Sequence, residues 1–319
     1  TYTFTAAAAA TSSADGGGNV KISSHAPSSN FDEQSWSAIR GYPSAVTFHQ
    51  NRLVFGGTLS EPDSIFMSKV GFFFNFNVGE ATDSDAIQIT AALGQVNRIR
   101  YLVSNRDLQI FTQSAELYIP TFQNQPLTPT NAQIRKQTPY GAQFVTPTAI
   151  DGATLFVERG GKTVREYLFT DNEDAYTSTA ISTIASHLIE SPKDLAVSHS
   201  TFKTPESYAF FVMGDGSMAV FTSNRTEKRA SWTKFITAAG SFDSVVALGS
   251  TVFVTIKDSD GNYMLCEFQD DLFATGSYST TNFEPQIGLD NWRKLSISGN
   301  AISFSSIANQ PWGNGDALV

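Results

Sequence analysis

Five short apolar runs constrain this chain more than any other feature. Leu53-Val54-Phe55, Leu108 to Phe111, Leu155-Phe156-Val157, Phe210-Phe211-Val212 and Val252-Phe253-Val254 begin at 53, 108, 155, 210 and 252, and so recur every 42–55 residues. Most of their residues are branched or aromatic, and clusters of Gly, Asn, Asp and Ser separate them from further runs of the same kind. That alternation reads as strand and turn throughout. A unit of this length holding several strands has the spacing of a β-propeller blade. An irregular β-sandwich is the competing architecture, and the spacing favours the propeller.

Turn chemistry predicts hairpins inside each unit. Asp215-Gly216 separates "AFFVM" from "SMAVF", and Asp260-Gly261-Asn262 separates "VFVTIKD" from "YMLCEF". Asp-Gly pairs favour primed turns, whose twist matches that of paired strands. Gly160-Gly161 holds the same position between "TLFVE" and "TVREYLF". One amphipathic helix is expected over Thr179 to Glu190, where Ile181, Ile184, Ala185, Leu188 and Ile189 follow helical spacing and Ser191-Pro192 ends the run. The fold expected is therefore all-β, a propeller of about six blades over 31–280 with one short amphipathic helix. Residues 1–30, small, polar and glycine-rich, read as an extended leader or the end of a preceding β domain. Residues 281–319 read as a β segment that closes the propeller or contacts a neighbour, and "NWRKLSISGNAISF" is a source for a sixth blade. The chain begins at Thr1 rather than Met, which reads as cleavage or as part of a longer protein.

Several familiar chemistries fail on spacing. Gly-Gly-Lys-Thr at 160–163 resembles the end of a phosphate-binding P-loop, but the first glycine of that motif would fall on Phe156, and a strand-like segment follows instead of a helix. "DSDGN", Asp258 to Asn262, has its glycine too early for an EF-hand, whose twelfth position would be Gln269, and reads as a turn. His25, His49, His187 and His199 lack zinc-ligand spacing, and His187 is expected to be a partly packed helix residue. Cys266, the only cysteine, sits in an apolar run and reads as an inert buried side chain, with no disulfide available to the fold. No nucleophile elbow occurs. The carboxylate pairs Asp83/Asp85, Glu173/Asp174 and Asp270/Asp271 sit in polar loops and read as solvated charge, although distant loops could still assemble a glycosidase pair. No catalytic, cofactor-binding or metal residue is assigned, and no cofactor is expected. Charged residues make up 16% of the chain and its net charge is −9, which argues against static nucleic-acid binding. "SNRTEKRASW" packs Arg225, Lys228 and Arg229 beside Trp232, but Glu227 lies among them, and the stretch reads as a solvated blade edge. No run of 18 apolar residues occurs, so no membrane insertion is predicted.

Four stretches, in order, resemble phage tail proteins of the short-tailed virus nozzle type, also called tail tubular protein B. The first, Gly41 to Phe76, carries Gly41, Pro43, Gln50, Arg52-Leu53, Gly56 to Thr58, Pro62, Ser68-Lys69, Gly71 and Asn75-Phe76. The second is "SNRDLQIFTQSAELYI" with "PLTPTNAQI" behind it. The third is "TPTAIDGATLFVERGGKTVREYLFTDNEDAY", with Arg165-Glu166 running to Tyr176. The fourth is "IASHLI" followed by "DGSMAVFTSNRTEKRASWTKF", with Asp215-Gly216, Thr222, Glu227 and Trp232 at the family's positions. The resemblance spans about Gly41 to Phe268. It departs from the pattern at "STAIST", and the family's N-terminal platform domain is shortened or absent.

The resemblance implies a β-propeller subunit in a homohexameric ring in the virion tail. DNA would pass along its axis during ejection without sequence-specific binding, and a tail adaptor protein and tail fibres would dock outside. The acidic balance agrees, because an acidic wall does not trap phosphates. Arg52, Glu166 and Trp232 are the residues expected to make structural contacts within blades, and no enzymatic activity is expected. Two other readings are a carbohydrate-binding or glycan-degrading tail propeller, using loop carboxylates and Trp36, Trp292 or Trp312, and a cellular propeller adaptor. The missing Gly-His…Trp-Asp signature argues against the commonest adaptor class.

Overall fold

The computed structural model describes residues 35–91, 94, 96–121, 125–199, 206–224, 229–237 and 240–268, with 297–298 and 301–302 as backbone. The leader, Glu227, Trp292, Trp312, His25, Arg225, Lys228, Asp270/Asp271 and almost all of 281–319 lie outside the described residues. The chain divides into two compact units, Thr1–Pro139 and Tyr140–Val319.

In the first unit, β1 (Ala45–His49), β2 (Arg52–Gly56), β3 (Ser64–Met67) and β4 (Ile87–Thr90) form one antiparallel sheet in sequential order. β5 (Ile99–Ser104), β6 (Leu108–Thr112), β7 (Glu116–Ile119) and β8 (Arg135–Thr138) form a second. The register pairs Thr47 with Val54, Val54 with Met67 and Met67 with Ile87, which places these residues on one face. That face packs on Ile99, Leu102, Leu108, Ile110 and Leu117 of the second sheet in one core. β1 lies alongside β5.

The second unit repeats the plan. β9 (Thr148–Ile150), β10 (Ala153–Val157), β11 (Val164–Thr170) and β12 (Ala175–Ala180) form the third sheet. β13 (Asp194–Ser198), β14 (Ser207–Val212), β15 (Met218–Asn224) and β16 (Arg229–Phe235) form the fourth. β17 (Gly240–Leu248), β18 (Thr251–Asp258) and β19 (Tyr263–Glu267) form the three-stranded fifth, and β20 (Ile297–Ser298) pairs with β21 (Ala301–Ile302). One core joins the third and fourth sheets and another joins the fourth and fifth. β13, the first strand of its sheet, lies against both β9 and β17.

The five apolar runs all fall on the second strand of their sheets. Four of these strands are buried almost end to end, with neighbours on both edges and cover on both faces. Residues inside such a strand have no wet face, so the sequence loses its period of two and reads as a solid block.

The expected helix over Thr179–Glu190 is corrected. β12 stays paired with β11 as far as Ala180, and only Thr183–Leu188 turns, as a 3-10 helix broken at Ala185, with φ −122° and ψ 28°. A three-residue period turns Ser182, Ala185 and Leu188 inward and leaves Ile184 85% exposed and His187 outside. His187 is therefore not the packed helix residue expected. The turns also differ in type. Gly161, Gly216 and Gly261 each donate their N–H three residues back, to Glu158, Met213 and Asp258, and each has positive φ. Only the fourth residue of these turns is left-handed. Both central residues have positive φ at Gln50-Asn51 and Asp151-Gly152, and these are the primed hairpins.

Candidate functional site: the seams between sheets

Where one sheet meets the next, backbone and side chains interlock at the same place each time. The connection between the second and third strands docks on the start of the following sheet. In the first unit Ile99 donates its N–H to the Pro62 carbonyl at 2.8 Å, and the Ser44 hydroxyl donates to Ile99 O at 3.0 Å. In the second unit Ser191 N–H donates to Gly161 O at 3.0 Å and Phe242 N–H to Gly216 O at 2.8 Å, while Gly214, in the fourth sheet's own connection, donates its N–H to Glu190 O at 3.1 Å in the segment that enters that sheet. Gly216, at φ +83°, lies so close to Ser241 that a β-carbon would collide with it. Most of these groups lie in the connections or at the first residue of a strand, and Phe242 lies beside the bulge in β17; each seam bond satisfies a backbone group there.

Arg52 is the largest fully buried side chain of the described residues. Its Nη1 donates to the carbonyls of Ser68 at 2.8 Å and Asp85 at 2.5 Å, and its Nη2 to those of Asp83 at 2.9 Å and Leu127 at 3.2 Å. The first three belong to its own sheet's connections, but Leu127 lies in the second sheet, between β7 and β8. Arg52 therefore spans two sheets. Burial pulls its pKa below the ordinary value, an effect opposed by the nearby Asp85 carboxylate. The Asp85 carboxylate accepts from Lys69 Nζ at 3.0 Å and from the Thr82 N–H and hydroxyl at 2.9 and 2.7 Å. The Thr82 hydroxyl first, then Lys69, hold its pKa down at about 2. Gln50 and His49 extend this seam. Leu127 N–H donates to Gln50 Oε1 at 2.8 Å, Gln50 Nε2 donates to Thr121 Oγ1 at 3.2 Å, and His49 Nδ1 lies 2.9 Å from Ser104 Oγ.

Trp232 sits half-buried on β16 with its ring against Phe211 and Phe221, at centroid distances of 5.5 and 4.9 Å. Its Nε1 donates to Ile181 O at 3.1 Å, which joins the fourth sheet to the end of the third. Glu166 is half-buried on β11. Register puts it on the face of Leu155 and Val164, which pack against the fourth sheet. Its neighbour Arg165 is on the other face, where Nε donates to Glu158 at 2.7 Å, Nη1 donates to Ser178 O at 3.2 Å and the guanidinium covers the Tyr140 ring at 3.3 Å. Gln50 and Arg165 were part of the motif pattern, yet nothing in the residues around them pointed to a partner for either.

Asp85, expected as solvated loop charge, is instead buried and bonded by Lys69 and Thr82; the other loops that invited catalytic readings are engaged in turns or open to solvent. Gly160-Gly161 turns β10 into β11, and the following strand occupies the place of a P-loop helix. Asp258 accepts the N–H groups of Asp260 and Asn262 at 2.9 and 2.8 Å, bonds that lower its pKa, Asn262 contributing most. Glu173 and Asp174 are exposed in the β11–β12 turn. Cys266 is half-buried on β19 rather than buried. Trp36 meets Phe55, Phe66 and Phe76 edge-on at 5.0–5.6 Å, so its ring is engaged in packing. Among the described residues no group of three or more His, Cys, Asp or Glu could hold a metal ion, and no helix is long and apolar enough to cross a membrane.

No curated protein matches the chain. Among solved structures it is similar to dihydro-heme d1 dehydrogenase NirN in complex with DHE, at TM-score 0.45 and 10% identity, over 69% of this chain and 43% of that one. It is also similar to a protein from Lactobacillus plantarum, at TM-score 0.43 and 10% identity, over 70% of each chain. The chain thus spans less than half the length of the first of these. The family model described as "Bacteriophage nozzle protein" matches residues 41–307, a stretch that contains every seam described above. The chain belongs to the bacteriophage nozzle protein family and is a structural protein of the phage tail.

Proposed function

We propose that this chain is a wall subunit of a tail nozzle of the tail tubular protein B type. Its sheets form the blades of a β-propeller, and copies of the chain, six in number, assemble into a ring. DNA passes along the ring axis during ejection without being held, and a tail adaptor and tail fibres dock on the outside. The subunit works as a rigid part and carries no catalytic centre.

The observation that carries this reading is the family match over residues 41–307. The repeated sequential meanders, with first strands side by side inside each unit, are the arrangement that radial blades require. The net charge of −9 suits a conduit, because an acidic wall offers few cationic side chains to neutralise phosphates and release their counterions.

Negative-stain imaging of the purified full chain and of virions tests the proposal. Rings with a central lumen, and tail density labelled by an antibody against this chain, are expected. Particles without rings, or tails without label, would end it. Turnover of host polysaccharide that disappears with one carboxylate-to-amide change would replace it with the glycan-degrading reading.

A further inference from the structure

The first sheet has two faces, and only one packs against the second sheet. The other bears Val46 and Phe48, two residues apart on β1 and 58% and 60% exposed. Phe73, from the connection between β3 and β4, sits edge-on against Phe48 at 5.2 Å and brings its loop onto this face. The flanking Phe72 and Phe74 are 64% and 95% exposed. Strand and loop therefore make one apolar surface. At roughly 150–250 Å² for an aromatic side chain, it amounts to on the order of 500 Å², a substantial part of the ~800 Å² that each partner gives to a stable interface.

We infer that this surface is a contact between copies of the chain, seated on a second subunit; the inference rests on the ring reading above. Charge selects this occupant. Copies that each carry −9 repel one another, and the repulsion is smallest where the contact holds no charge. From Val70 to Val78 the loop has no ionisable side chain, and in β1 only His49, turned to the other face, could carry charge. A basic partner would gain nothing there. A lipid surface is disfavoured as well, because the only cation in the connection, Lys69, is paired with Asp85 and leaves no free Lys or Arg to draw the face to anionic headgroups. An aromatic, charge-depleted centre is the composition of contacts between identical subunits.

Phe74→Ser and Phe48→Thr test this in the full chain, with sedimentation velocity over a dilution series and a thermal melt of each variant. Both side chains are more than half exposed, so the melts should match wild type. Assembly should weaken by about tenfold or more for each ring removed from the contact. Wild-type chain that stays monomeric at every concentration overturns the ring reading and this contact with it. Wild-type rings matched by equally tight rings of both variants overturn the contact alone. If rings are unchanged while pelleting with phosphatidylglycerol vesicles is lost, the face belongs to lipid. A cysteine introduced by Phe74→Cys in a Cys266→Ala background, if shielded from maleimide even in dilute monomer, assigns the face to the chain's own segments. Either of these last results also overturns the contact.

Discussion

Gln50 and Leu127, 77 residues apart, share one hydrogen bond of 2.8 Å, and Arg52 holds the other pole of the same residue. Gln50 Oε1 accepts the Leu127 N–H while Arg52 Nη2 donates to the Leu127 carbonyl. Two motif side chains from the start of the second strand thus fix a backbone segment of the neighbouring sheet. Replacing Arg52 with Ala leaves four carbonyls without this donor and opens a cavity, so the expected cost is about 3–5 kcal/mol. Arg52→Lys should recover only part of this, because an ammonium cannot present two forked amino groups to four carbonyls. Chemical denaturation of the three proteins measures both numbers. A loss below about 1 kcal/mol for Arg52→Ala would show that the clamp does not hold the seam.

Trp232 separates packing from hydrogen bonding. Its half-buried ring puts Trp232→Ala near the lower end of the ~3–5 kcal/mol seen for buried aromatics. Trp232→Phe keeps ring contact with Phe211 and Phe221 but loses the donor to Ile181, and should cost about 0.5–1.5 kcal/mol. Thermal melts of both variants check this. Equal losses would mean that the hydrogen bond, rather than the ring, carries the contact.

The core strands were legible because strands buried on both faces leave solid apolar blocks, and all five blocks landed on second strands. The turn positions at Gly161, Gly216 and Gly261 were legible too, since a left-handed residue calls for glycine. Their turn type was not, because Asp-Gly serves both primed turns and turns whose last residue alone is left-handed. The helix over 179–190 was misread because apolar residues at i, i+3 and i+4 also suit a strand end followed by a three-residue-period turn. The partner of Arg52 left no trace in the sequence. A backbone carbonyl has no residue signature, so nothing marked Leu127. The same holds for Trp232 and the Ile181 carbonyl, and the expectation of contacts within blades therefore missed that both side chains reach an adjacent sheet.

Gly216 and Gly261 form a matched pair. Both hold positive φ, at +83° and +87°, at the same place in the same kind of turn. A β-carbon at Gly261 meets open space, whereas at Gly216 it meets Ser241 of the next sheet. Gly261→Ala should therefore cost about 1–2 kcal/mol, the left-handed penalty alone. Gly216→Ala should cost about 1–3 kcal/mol more, as the fifth sheet is pushed from the fourth. Denaturant midpoints give the difference. Equal costs would mean that the close approach at Ser241 is not needed for the seam.

Acid should loosen the first unit through two groups, His49 and Asp85. Burial lowers the pKa of His49 below its ordinary 6.5, an effect partly opposed by Asp107. The folded state then binds fewer protons than the unfolded state just below pH 6.5, so the stability this histidine contributes is complete above 6.5 and is lost as pH falls through its lowered value. Asp85 behaves the same way lower down: its contribution is complete above its ordinary 3.8 and is lost as pH falls through about 2. Unfolding free energy measured against pH should therefore begin to decline below about 6.5 and gain a second source of decline below about 4. His49→Gln, which can still hydrogen-bond Ser104 but does not titrate, should remove the first decline and leave the second. Asp85→Asn should do the reverse. A first decline that survives His49→Gln would assign it to another group and remove His49 from any acid response of the seam between the first two sheets.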